Sequence, residues 1–116
     1  MAVVLVVDDE DGIRKLVHLI LAADGHQVMT ACNGVEGIAL YRSYPDRIQL
    51  VITDMKMPVM DGAELVHLIR ETRPEAKIIC MSGYTETAFP DGVTVLWKPF
   101  KPDALRECVR HYTPQQ

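Results

Sequence analysis

Val51-Ile52-Thr53-Asp54-Met55-Lys56-Met57-Pro58-Val59-Met60-Asp61-Gly62 is the stretch on which the fold turns. An apolar run that opens at Leu50 ends in the carboxylate of Asp54. A Met-rich loop carrying Pro58 follows, and Asp61 then starts a new amphipathic segment. Such a run reads as a buried strand with Asp54 at its tip. Taken alone, an aspartate in that position caps or turns a chain, so its meaning depends on what the other segments place beside it.

Downstream, Asp61 with Glu64 three positions on is an N-terminal capping signature, and Leu65, Val66, Leu68 and Ile69 carry a helix to Arg73-Pro74. Lys77-Ile78-Ile79-Cys80-Met81 is a fourth strand ending in Ser82-Gly83-Tyr84, and Val93-Thr94-Val95-Leu96-Trp97 is a fifth ending in Lys98-Pro99. Pro102, Ala104, Leu105, Cys108, Val109 and Tyr112 describe a last amphipathic helix, with Pro102 near its first turn and Pro114 past its end. Upstream, Val3 to Val7 is a continuous β-branched run, the mark of a strand covered on both faces, and it ends in Asp8-Asp9-Glu10-Asp11. Ile13, Leu16, Val17, Ile20 and Leu21 then recur at helical spacing until Asp24-Gly25. Gln27 to Cys32 is a weaker strand, and Asn33 with Glu36 opens a helix that runs to about Tyr44 before Pro45-Asp46.

Composition narrows the classes of function. At 116 residues the chain fits one domain, 1–116, with a sizeable core. A net charge of -4 without any Lys/Arg run argues against a nucleic-acid surface. Cys32, Cys80 and Cys108 are odd in number and far apart, which suggests neither a disulfide framework nor metal-ligand spacing; a reducing cytoplasm is the simplest location. The longest apolar run is too short for a membrane span and lacks the basic start of a signal peptide.

Alternation of strand and helix implies right-handed crossovers and an α/β doubly wound parallel sheet of five strands, flavodoxin-like in the order 2-1-3-4-5. In such sheets functional groups collect at the carboxyl ends of the strands. Here Asp8-Asp9, Asp54, Ser82 and Lys98 all fall at strand ends, and four polar tips on one edge make a site. Neighbouring first and third strands bring Asp8, Asp9 and Asp54 together, and carboxylates that close must either raise a pKa or bind a cation. Oxygen ligands without imidazole or thiolate select a hard ion, and Mg²⁺ suits a site with an anionic substrate. A carboxylate nucleophile, a divalent metal, the Lys98 ammonium and the Ser82 hydroxyl together form a cradle for a phosphoryl group, with an aspartyl phosphate as product.

Those residues resemble the receiver domain of bacterial two-component response regulators. The likeness rests on Asp8-Asp9, on Asp54 to Gly62, on Ser82-Gly83 and on Lys98-Pro99, and it covers almost the whole chain. It implies that Asp54 accepts phosphate from a histidine kinase or phosphotransfer domain and later loses it by autodephosphorylation. It further implies that Asp8, Asp9 and Asp54 hold Mg²⁺ with the backbone carbonyl of Lys56, that Ser82 and Lys98 bind phosphoryl oxygens, and that the peptide before Pro99 is cis. Lys56 and Tyr84 fall where the family tunes phosphate lifetime. The run Met81 to Tyr84 and the short segment after it are most similar to receivers attached to hybrid histidine kinases.

The chain departs from that family at three places. Ser82 replaces the commoner threonine and keeps the hydroxyl; Val95 stands where an aromatic switch residue is usual. Gly83 to Gly92 is only ten residues, of which Pro90-Asp91-Gly92 is turn chemistry, so the fourth helix is expected to be shortened or absent. Val95 and Trp97 then lie on a thinly covered face, and Tyr84, Phe89 and Trp97 become a candidate docking or dimer surface. His18, His26, His67 and His111 are scattered and sit at no strand tip. Two other classes of function stand beside the leading one. Asp9-Glu10-Asp11 resembles the D-x-D of haloacid-dehalogenase-type phosphatases with Asp9 as nucleophile, although the chain is short for that core and cap. The other is a receiver-like interaction module that is never phosphorylated.

Overall fold

The computed structural model describes residues 2–83 and 88–113. Five parallel strands, β1 (Val3–Val7), β2 (Gln27–Ala31), β3 (Leu50–Asp54), β4 (Ile78–Ser82) and β5 (Thr94–Trp97), form one sheet in the order β2-β1-β3-β4-β5. Four helices accompany them: α1 (Asp11–Ala23), α2 (Gly34–Ser43), α3 (Gly62–Thr72) and α4 (Pro102–Tyr112). This is the doubly wound, flavodoxin-like order expected from the sequence.

The strand patterning explains the layers. Every residue of β3 and β4 is buried, as are Val4 to Val7 of β1, because these three strands have neighbours on both sides and helices on both faces. Side chains alternate across the sheet. Val4, Val6, Leu50, Ile52, Ile79, Met81 and Leu96 pack with Val17, Leu21, Leu105 and Val109 of α1 and α4. Leu5, Val7, Val51, Ile78 and Cys80 pack with Ile38, Tyr41, Leu65, Val66 and Ile69 of α2 and α3. The helix starts follow from local chemistry: Asn33 accepts from the Glu36 N–H at 2.8 Å and Asp61 from the Glu64 N–H at 2.9 Å.

The sheet register brings the strand tips level. Val7 pairs with Thr53, Asp54 with Met81, and Ser82 with Trp97, so Asp8, Asp54, Ser82 and Lys98 all emerge at one edge. Helix α3 then starts tightly beneath Asp54. A Cβ on Gly62 would lie 2.4 Å from the Asp54 carbonyl oxygen, so no larger residue fits while the Gly62 N–H donates to the Met55 carbonyl at 3.0 Å. Between β4 and β5 the described residues contain no helix; residues 84–87, which include Tyr84 and most of the stretch where a shortened fourth helix would lie, are outside the described part. Trp97 is 50% exposed, and Phe89 covers it edge-on, with ring centroids 5.7 Å apart and an interplanar angle of 87°.

Candidate functional site

Asp54 ends β3 with only 6% of its surface exposed, and its Oδ1 accepts from the Met55 N–H at 3.0 Å. Asp8 follows β1 and is fully buried, and its Oδ1 accepts from the Glu10 N–H at 2.9 Å. Arg14 of α1 reaches back to the Asp8 carbonyl at 2.7 Å and pairs with Asp11, which ties the first helix to the strand tip. From the far strand, the Lys98 ammonium lies 3.0 Å from Asp8 Oδ2, 3.4 Å from Asp54 Oδ1 and 3.5 Å from Glu10 Oε1. The Lys98 N–H donates to the Ser82 carbonyl at 2.8 Å, which sets the two neighbouring tips in register. Lys98-Pro99 is cis, as the resemblance implied. Ser82 is buried at the end of β4.

Above these groups opens a cleft of about 410 Å³ lined by Asp9, Glu10, Asp54, Lys56, Gly83 and Lys98. The sequence alone groups Asp8, Asp9 and Asp54 as cation ligands. The carboxylates that converge are those of Asp8, Glu10 and Asp54, one oxygen of each lying within 4.8 Å of the others. Asp9 is exposed and lines the cleft without joining that triad. Glu10 carries no signal of its own in the sequence, because the acidic run Asp8 to Asp11 does not say which side chain turns inward. The loop after Asp54 behaves as its composition suggests, with Met55 and Met57 buried and Met60 against Gly34. The histidines stay outside the site: His26 Nδ1 accepts from the Ala2 N–H, His67 faces Glu71, and His111 stacks edge-on against Tyr112.

The electrostatics follow from this crowding. Burial, and then the charge of Asp8, pushes the Asp54 carboxyl up from 3.8 to about 6 against the opposing pull of Lys98. Burial likewise raises Asp8, opposed by the Glu10 N–H and by Lys98. For Lys98, burial pulls the ammonium down, but the hydrogen bond to Asp8 and the charges of Asp8, Asp54 and Glu10 outweigh it and hold the group above its ordinary value. The carboxylates of Asp8, Glu10 and Asp54 crowd together around the Lys98 ammonium. An all-oxygen donor set of that kind fits a hard divalent ion.

Comparison with known proteins shows which family the chain falls in. The family model described as response regulator receiver domain matches residues 4–110. Sensor kinase CckA of Brucella abortus is 34% identical over 99% of this chain, which spans 13% of that protein. Sporulation initiation phosphotransferase F of Bacillus subtilis is 32% identical over 96% of this chain and 93% of its own length. The crystal structure of the chemotaxis protein CheY4 of Vibrio cholerae superposes with a TM-score of 0.86 at 32% identity, covering 97% of this chain and 99% of that one. Shared strand order, a match along nearly the whole sequence and the carboxylate tips of β1 and β3 lead to one conclusion: this chain belongs to the response regulator receiver domain family.

Proposed function

We propose that Asp54 is the phosphoacceptor of a two-component phosphorelay. The single observation that carries this is the convergence of Asp8, Asp54 and the Lys98 ammonium within 3.4 Å contacts at the carboxyl edge of the sheet. An Asp54 carboxylate oxygen forms the bond to phosphorus as the P–N bond to the imidazole of a histidine kinase or phosphotransfer domain breaks; the electron pair goes to the departing nitrogen, and with the other ring nitrogen protonated the histidine leaves as neutral imidazole. Asp8, Asp9 and Asp54, with the Lys56 carbonyl, are the residues that would hold Mg²⁺; when bound, the ion neutralises charge on the phosphoryl oxygens. Lys98 and Ser82 orient those oxygens from the β4 and β5 tips, and burial keeps bulk water away from Asp54. The same groups support hydrolysis of the aspartyl phosphate, so the domain catalyses both its own modification and its loss.

The cytoplasm, where histidine kinases expose their phosphohistidine, is the compartment this chemistry requires; among the described residues no helix is long and apolar enough to cross a membrane. The half-exposed Trp97 with Phe89 against it supports a docking role for that face, Tyr84 being part of the same sequence expectation. Trp97→Ala should then weaken association with a cognate kinase or phosphotransfer domain, and unchanged association removes the docking role.

Incubation with a small phosphodonor such as acetyl phosphate and Mg²⁺ tests the central reading. Intact mass should rise by one phosphoryl group that maps to Asp54, is lost in Asp54→Asn and is still formed on Asp54, though more slowly for want of a cation ligand, in Asp9→Asn. Label on Asp9 would point to the phosphatase-like alternative, and no label in any protein to an unmodified interaction module.

A further inference from the structure

Glu10 sits where the helix has no need of its side chain. It is the N-cap of α1, with φ -88° and ψ 115°, yet makes no side-chain capping hydrogen bond, although a short polar residue there would satisfy an otherwise unpaired N–H. Its main-chain N–H donates to Asp8 Oδ1, and its carboxylate faces Lys98 across the mouth of the cleft at 3.5 Å. An ammonium carries three donors, and three carboxylates surround this one. Those of Asp8 and Asp54 lie on the floor, 0% and 8% exposed, while that of Glu10 is at the rim and 64% exposed.

The geometry points to Glu10 as a positioning residue that gives the Lys98 ammonium a second mooring at the rim, so that Lys98 can leave the Asp8 and Asp54 oxygens when a divalent cation takes them. This rests on the reading of the acidic cluster as the Mg²⁺ site beside the phosphoacceptor Asp54. Cation and ammonium compete for the same floor oxygens and repel each other. Glu10 offers the displaced ammonium an anionic partner already 3.5 Å away at the rim, so that Lys98 stays at the mouth, where phosphoryl oxygens arrive. The Glu10 contact faces solvent, so its effect is modest, on the order of fivefold in cation affinity.

The test is a double-mutant cycle on Mg²⁺ affinity by calorimetry, with the fluorescence of Trp97, the chain's single tryptophan and the neighbour of Lys98, as a second signal. Glu10→Gln should weaken Mg²⁺ binding about fivefold when Lys98 is present and less than about twofold in a Lys98→Met background. Glu10→Asp keeps the charge but loses reach, and should behave like Glu10→Gln. If Lys98→Met does not fold, Lys98→Gln takes its place, and urea midpoints of the Glu10 variants control for structural damage. Equal weakening in both backgrounds would make Glu10 a direct partner of the ion, and no weakening in either would leave it without a role; both results overturn the proposal. Failure of the underlying site has its own signature, wild type and Asp54→Asn binding Mg²⁺ equally, and would take this proposal with it.

Discussion

Replacing the central carboxylate should make the protein more stable. Burial and the Asp8 charge raise the Asp54 carboxyl from 3.8 to about 6, so at neutral pH its ionised form carries a penalty in the folded state that is absent in the unfolded chain. At about 1.36 kcal/mol per pKa unit, that displacement corresponds to about 3 kcal/mol. The side chain is 8% exposed, which leaves little solvent screening to discount. An asparagine side chain in its place would match the volume and still accept from the Met55 N–H, which donates to Asp54 Oδ1 at 3.0 Å. Because the folded state holds its proton up to the higher pKa, it binds more protons than the unfolded chain between about 3.8 and about 6, and unfolding free energy falls as pH rises through that window. Asp54→Asn should therefore gain about 2 to 3 kcal/mol near pH 7.5 with chelator present, and the gain should fade towards pH 4. Urea denaturation followed by far-UV circular dichroism across that range measures it. Excess MgCl₂ should narrow or reverse the difference, because the ion binds only the folded wild type. A variant less stable than wild type near neutrality with chelator, or a difference independent of pH, would refute the reasoning.

Other substitutions separate the contributions further. Lys98→Met leaves the fully buried Asp8 without its cation and should cost about 3 kcal/mol near pH 7, less as Asp8 is protonated on acidification, read by the same denaturation series. Gly62→Ala drives a Cβ to within 2.4 Å of the Asp54 carbonyl oxygen and 2.8 Å of the Met55 Cα, backbone that cannot rotate away, and should lower stability by about 2 kcal/mol. Val59 is β-branched with φ +71°, is 91% exposed, and is spanned by the Met60 N–H donating to the Pro58 carbonyl at 2.8 Å, a strained three-residue turn. Val59→Gly should therefore raise the melting temperature, the relief of strain exceeding the added chain entropy by about 1 kcal/mol. Burial pushes the Cys80 thiol up to about 12, so under native conditions a thiol reagent should modify exposed Cys32 quickly and reach Cys80 only on unfolding.

Much of the site is legible in the sequence because its residues mark strand ends. A strand that must be apolar to be buried stops where a polar side chain begins, so Asp8, Asp54, Ser82 and Lys98 announce themselves against Val3 to Val7, Leu50 to Thr53, Ile78 to Met81 and Val93 to Trp97. The two helix caps are equally plain, since Asn33 and Asp61 work through local hydrogen bonds. Asp9 and Glu10 are the instructive pair. Both follow the β1 tip, and their order along the chain does not reveal that Glu10 turns towards Lys98 while Asp9 stays out of the triad. That depends on the backbone entering α1 and on a cation 88 residues away.

The sequence by itself determined the element order, the parallel doubly wound sheet and the residues at its carboxyl edge, because hydrophobic periodicity and turn chemistry are local properties. The short connection before β5 is equally a matter of sequence, since ten residues containing Pro90-Asp91-Gly92 have little room for a helix. Tertiary structure alone decided which carboxylates face the Lys98 ammonium, that Asp54 is buried deeply enough to titrate near 6, and that Gly62 must pass within van der Waals contact of the β3 tip. Those outcomes arise from register between β1, β3 and β5 and from low-dielectric burial, both of which exist only once distant segments are packed together.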